Sequence, residues 1–483
     1  MNNLKDKYNK MPVQVKASLW FLICSFLQKG ITMLSTPIFT RILTTSEYGQ
    51  FNVFSSWLGI VTIFVSMSLA GGVYTQGLVK FEEDRNRFSS SLQGLSLTLT
   101  IVWTVIYIIA HSFWNQVFSL STIQMLAMLV IIWTTAVFNF WSAEQRVEYK
   151  YKALVAVTLL VSFAKPIIGV IFVVFANDKV TARILGLVLV ELISYTALFI
   201  IQMKKGKTFY SEKYWKYALT FNIPLIPHYL SQIVLSSADR IMISNMVGDS
   251  EAGIYSLAYS LSNIMILFNT ALMQTLSPWI YQKIKDKRVK DIENIAYSSL
   301  LIIASVNLLL ILFAPEAVAV FAPKAYREAI YVIPPIAMSV YFMYSYDLFA
   351  KFAFYYEKTK LIMTASIVGA ILNIALNYIF INIFGYMAAG YTTLACYMVY
   401  AITHYILMNK VCQTYCNGVK PYKTSILLLI GIPFVIMGAL FLVTYDYPII
   451  RYGIISICAI ILITKRKSLM EYVKRLMILK RYM

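Results

Sequence analysis

Apolar runs close to the roughly 20 residues that cross a bilayer recur along the whole chain. Cut at charge clusters and turn residues, they predict fourteen helical spans, at residues 17–39, 51–72, 92–110, 122–141, 153–176, 184–202, 217–238, 252–279, 295–314, 330–349, 361–383, 386–408, 425–445 and 452–463, the last being the shortest. Of the 42 Lys and Arg, 33 fall in the N-terminal tail, the alternate connections and the C-terminal tail, and seven fall on the other side. The remaining two, Lys29 and Lys165, lie inside spans. One missed helix would invert the sign of every later hairpin, so the asymmetry supports the span count and predicts that both ends face the cytoplasm.

Composition narrows the class. With 59% hydrophobic and 13% charged residues, a soluble fold would expose large apolar patches. The formal charge of +20 would suit nucleic acid if it lined one soluble face, but it sits between apolar runs, so no nucleic-acid partner is expected. The first run, behind Lys5, Lys7, Lys10 and Lys16, is too long for a signal peptide's apolar region and reads as an uncleaved span. Cys24, Cys396 and Cys458 lie in apolar runs, and Cys412 and Cys416 share a basic loop without nearby histidines, so no metal site is expected. From Lys465 onward, Leu469, Val473, Leu476 and Leu479 fall near one helical face, which suits a tail resting on the anionic inner leaflet.

An internal repeat organises the spans. Thr40-Arg41-Ile42-Leu43 followed by Glu47-Tyr48-Gly49 closes span one, and Asp239-Arg240-Ile241-Met242 followed by Glu251-Ala252-Gly253 closes span seven. Counting back eleven residues reaches Lys29 from Thr40 and His228 from Asp239. A second register pairs Lys152 with Lys360, Lys165 with Asn373 and Asn139 with Asp347. The expected fold is all-α and polytopic: an N-terminal lobe of six helices at 1–203, a second six-helix lobe at 204–410, an extra helix pair at 411–464 and a basic cytoplasmic tail at 465–483.

Polar residues inside spans mark candidate function. Ser25, Gln28, Lys29, Thr32, Thr36 and Thr40 form one stripe on span one; His228, Ser231, Gln232, Ser236 and Asp239 form another on span seven, behind Pro224 and Pro227, which should weaken that helix near its middle. The two stripes read as walls of a wet cavity. A cation at mid-span costs about 2.5–3.5 kcal/mol on the translocon scale, so Lys29 and Lys165 need compensation. They either snorkel or pair with Glu191, or they recognise an anion, with Gln28, Thr32, His228, Gln232 and Asn373 as further substrate contacts. His228 could equally be a hydrogen-bonded interior histidine. Arg41, Asp239 and Arg240 adjoin the elbows and suit a gate. Glu191 and Asp347 are ion-coupling candidates, although Asp347 has Lys351 at a helix-pair spacing. No P-loop, HExxH or Ser-His-Asp arrangement is present, and no long outer loop provides a polymerase active site, so catalysis is not expected.

Pro224-Leu225-Ile226-Pro227-His228, Leu230-Ser231 and Asp239-Arg240-Ile241-Met242 resemble the span-seven signature of Wzx-type polysaccharide flippases. Pro37 to Thr44 with Glu47-Tyr48-Gly49 is similar to that family's first elbow, and Glu251 to Tyr259 to the start of its eighth span. The resemblance implies the fold of the multidrug/oligosaccharidyl-lipid/polysaccharide exporter superfamily in a bacterial plasma membrane. It implies as substrate an undecaprenyl-pyrophosphate-linked oligosaccharide, flipped by alternating access for capsule, O-antigen or exopolysaccharide assembly, with Lys29 and Lys165 facing the pyrophosphate or acidic sugars. Membrane lipids and polysaccharide polymerase machinery are the expected partners. No cofactor is expected beyond a coupling ion, a proton or sodium. The rival readings are a MATE-like drug or cation antiporter, which would want buried carboxylates, and a peptidoglycan lipid II flippase.

Overall fold

The computed structural model describes residues 11–464. The basic tail expected at 465–483 and the side chains of Lys360 and Cys458 lie outside the described residues. Helices dominate, and each expected span coincides with helical structure. The contacts divide the chain into two compact units that meet in sequence at Ser244 and Asn245.

The first unit is built from α1 (Val13–Ile42), α2 (Thr45–Ser66), α3 (Gly72–Lys80), α4 (Arg85–Ile109), α5 (His111–Phe118), α6 (Thr122–Val147), α7 (Tyr151–Phe175), α8 (Lys179–Gly206), α9 (Glu212–Asn222) and most of α10 (Ile226–Met246). Helix α8 packs against α4, α6 and α7, and α1 packs against α7. At the α7/α8 crossing a Cβ on Gly186 would meet Gly169 Cα at 3.1 Å, the close approach by which small residues substitute dispersion contacts for a hydrophobic driving force in lipid. Gly94 is still more constrained, since a Cβ there would lie 2.1 Å from the Phe209 carbonyl oxygen.

The first elbow has a specific origin in its sequence. Thr44 Oγ1 accepts from the Glu47 N–H at 3.2 Å while Glu47 accepts from the Thr44 N–H at 2.8 Å, a capping box that starts α2 and satisfies two otherwise unpaired donors. Lys179 Nζ donates to the last-turn carbonyl of Ile42 at 3.1 Å. The Arg183 guanidinium lies between the Phe39 and Phe51 rings, 3.7 and 3.5 Å from their centroids.

Span seven is divided. Helix α9 ends at Asn222, a 3-10 turn covers Ile223–Leu225, and α10 restarts at Ile226. Pro224 has no N–H to continue the ladder, and Pro227 falls in the first turn of the new helix, where none is needed. Two further connections of the first unit are short helices, α3 and α5, that hydropathy did not predict.

The second unit contains α11 (Asp249–Lys285), α12 (Ile292–Leu312), α13 (Ala314–Phe321), α14 (Ala329–Tyr355), α15 (Thr359–Phe384), α16 (Ala388–Tyr415), α17 (Thr424–Val443) and α18 (Pro448–Thr464). Helix α14 is its axis, packing on α11, α12, α16 and α17. The terminal pair is tied in by hydrogen bonds: Arg451 and Tyr452 of α18 both reach the Glu316 carboxylate of α13, and Tyr445 donates to the Ile311 carbonyl. Eleven described helices are long and apolar enough to cross a bilayer. Helices α10, α16 and α18 fall outside that set, α10 and α16 being rich in polar residues and α18 short.

Candidate functional site

Two polar constellations occupy the first unit. On α7, Lys165 Nζ lies 2.6 Å from Glu191 Oε1 of α8. The other carboxylate oxygen accepts from Thr134 at 2.6 Å and Thr135 at 3.2 Å, both on α6. Glu191 is 3% exposed, so desolvation is severe, and only a close partner plus satisfied lone pairs makes such burial tolerable. Lys165 also lies 6.0 Å from the Tyr195 ring centroid. One substrate candidate and one coupling candidate are therefore brought together and neutralise each other.

The second constellation lines a cavity of about 650 Å³. Gln28 of α1, Thr75 of α3 and Asn139, Ser142 and Arg146 of α6 give its polar lining, and Gly71, Ala143 and Phe138 some of its apolar part. Residues 139, 142 and 146 share one helical stripe. Arg146 has no carboxylate partner among the described residues, and its guanidinium lies 6.0 Å from the Phe21 ring centroid. A guanidinium with amides and hydroxyls around it can bind an oxyanion bidentately and hydrogen-bond sugar hydroxyls.

The other predicted residues are distributed more widely. Lys29 is exposed on α1, with no hydrogen bond or ion pair among the described residues; it follows Gln28, so the two side chains leave the helix roughly 100° apart. Thr32 is exposed and turns its hydroxyl to the Gln28 carbonyl at 3.1 Å. Arg41 folds back onto the Pro37 carbonyl at 2.7 Å. On α10, His228 is half-buried with Nδ1 lacking a partner among the described residues, Gln232 is exposed, and Asp239 is buried. Arg240 Nη1 reaches Ser56 Oγ of α2 at 3.4 Å.

In the second unit Asn373 is fully buried. Its Oδ1 accepts from Asn377 Nδ2 at 3.3 Å, while its own Nδ2 lacks a partner among the described residues. Thr392 of α16 donates to Asn377 Oδ1. Asp347 pairs with Lys351 one turn on, at 2.7 Å.

Arg146, Ser142 and Thr75 were not among the expected site residues. A span of standard length ended at residue 141, and Arg146 counted as a loop charge. Helix α6 in fact runs to Val147. The missed signal was the continuation of the Asn139-Ser142-Arg146 spacing past the apolar boundary.

The fold and this cavity define a polytopic α-helical membrane protein with an exposed arginine, amides and hydroxyls lining an open cavity on its helices. A family model described as "Polysaccharide biosynthesis protein" matches residues 15–284, more than half of the chain, and the chain belongs to that family. A second family model, MatE, matches residues 224–379. The chain is 23% identical over 372 residues to a Haemophilus influenzae protein named for the Lsg locus, covering 74% of this chain and 89% of the relative. It is 22% identical over 406 residues to a Haloferax volcanii protein named as a probable low-salt glycan biosynthesis flippase, Agl15, covering 80% and 82%. Among solved structures, lipid II flippase MurJ in an inward closed conformation superposes with a TM-score of 0.68 at 13% identity, covering 93% of this chain and 99% of that one. The shared fold is that of the multidrug/oligosaccharidyl-lipid/polysaccharide exporter superfamily, whose members are transporters and flippases.

Proposed function

We propose that the protein flips a polyprenyl-pyrophosphate-linked oligosaccharide from the inner to the outer leaflet of a bacterial plasma membrane, by alternating access, with both chain ends in the cytoplasm. The observation that carries this reading is the cavity formed by Arg146, Gln28, Asn139, Ser142 and Thr75. A glycan headgroup entering hydrocarbon loses its hydrogen bonds to water, and amide and hydroxyl groups beside an unpaired guanidinium can replace them around sugar and phosphate. The lipid tail meanwhile stays in the bilayer. A proton or sodium gradient drives the cycle, and a polysaccharide polymerase consumes the product for capsule, O-antigen or exopolysaccharide. Lys29, exposed and uncompensated, adds positive potential on α1.

The test is reconstitution in liposomes with fluorescent polyprenyl-pyrophosphate oligosaccharides and membrane-impermeant quenching. Transfer that Arg146→Ala lowers supports the reading. Absence of transfer for every glycan, together with efflux of organic cations, would establish the antiporter reading instead.

A further inference from the structure

Helix α3 turns two different faces to its surroundings. Val73, Tyr74, Gly77 and Leu78 are buried, and a Cβ on Gly77 would collide with the Phe88 ring of α4, so that face lies flat against the bundle. Thr75, Gln76, Val79 and Lys80 are exposed on the other face, at spacings that gather them along one side of a helix. The three polar side chains among them make no hydrogen bond or ion pair among the described residues.

Tyr217 and Phe221, one turn apart on α9, join these four side chains around a groove of about 630 Å³. Val79, Phe221 and Tyr217 make its apolar part, and Lys80 carries the charge. The ammonium lies 4.7 Å from the Tyr217 ring centroid and 5.7 Å from that of Phe81. A ring face fixes the position of a cation without neutralising it, so its N–H donors stay available. Of the acids that follow in sequence, Glu82 pairs with Arg85 at 3.3 Å and Asp84 accepts from the Tyr214 hydroxyl at 3.1 Å. Glu83 makes no ion pair with Lys80 among the described residues.

Thr75 lines both this groove and the Arg146 cavity, so the two adjoin on α3. The mixture of surfaces decides what suits the groove. A hydrocarbon chain would leave Gln76 and Lys80 without acceptors, and a bare phosphate would gain nothing from the aromatic side. A pyranose ring has an apolar C–H face and a rim of hydroxyls, which matches aromatic and aliphatic carbon bordered by an alcohol, an amide and an ammonium.

We propose that the groove between α3 and α9 is a second carbohydrate subsite, which holds a sugar ring farther from the lipid than the one in the Arg146 cavity and so makes the protein sensitive to glycan length. Phe221 and Val79 meet the C–H face of that ring, and Thr75, Gln76 and Lys80 hydrogen-bond its hydroxyls. This assignment rests on the flippase reading and adds a specificity determinant to it.

The test is transfer in liposomes of two fluorescent polyprenyl-pyrophosphate lipids, one carrying a monosaccharide and the other a trisaccharide that begins with the same sugar. Phe221→Ala is expected to lower the trisaccharide-to-monosaccharide transfer ratio of the full-length protein by about tenfold, the scale of a lost aromatic contact. Gln76→Leu, at an exposed position away from the α3/α4 packing, is expected to lower the same ratio by about threefold, the scale of a neutral hydrogen bond. A general folding defect lowers both rates and leaves the ratio where it was. The subsite is overturned if both variants keep the wild-type ratio, including the case in which they slow both lipids equally. If the wild type transfers neither lipid, the flippase reading fails and this one falls with it; if it transfers both and the variants keep its ratio, the subsite alone fails.

Discussion

The two units answer the same register with different chemistry. At an offset of 208 residues, Lys165 corresponds to Asn373 and Asn139 to Asp347. In the first unit the lysine meets Glu191 across a helix pair; position 399, the counterpart of Glu191, is valine, and Asn373 turns instead to Asn377 one turn away. Likewise Asn139 lines the cavity, whereas Asp347 is neutralised within its own helix by Lys351. Residues at one sequence register thus make an inter-helix ion pair in the first unit and an amide contact in the second. The lesson is that a shared sequence register does not carry shared electrostatics.

Mutations can break that contrast at graded strength. The largest effect is expected for Glu191→Leu, which strands Lys165 without a counter-charge and should destabilise the protein by about 3–5 kcal/mol, with the double variant Glu191→Leu/Lys165→Leu recovering most of the loss; thermal unfolding measures both. Arg146→Ala should reduce lipid-linked glycan transfer by about 10- to 100-fold, the loss of a charge-assisted contact, with an unchanged melting temperature. Asn373→Leu removes a neutral acceptor and should cost only about 1 kcal/mol in the same unfolding assay; a loss as large as that of Glu191→Leu would erase the distinction between the units. Lys29→Ala is the mildest, lowering transfer by about two- to fivefold without altering stability, as expected of an exposed charge.

Much of the fold was legible because lipid imposes a strong rule: apolar length and the sidedness of Lys and Arg are written directly into the chain. The break at Pro224 was legible too, since proline removes a backbone donor wherever it stands. The candidate cavity was not. Its cation sits past the apolar boundary of α6, where hydropathy reads loop and the backbone remains helical to Val147. The pairing of Lys165 with Glu191 was one of three readings, and only three-dimensional packing brings Thr134 and Thr135 to the same carboxylate.

The division of span seven bears on how the chain is made. Helix α9 has 11 residues, roughly 16 Å of rise against about 30 Å of hydrocarbon, so it cannot act as a membrane segment by itself. Helix α10 is longer but carries histidine, glutamine, aspartate and arginine. Neither piece would leave an aqueous insertion channel for lipid on apolarity alone. This element up to Ser244 belongs by its contacts to the first unit, so the helices that shelter its polar residues all precede it in sequence.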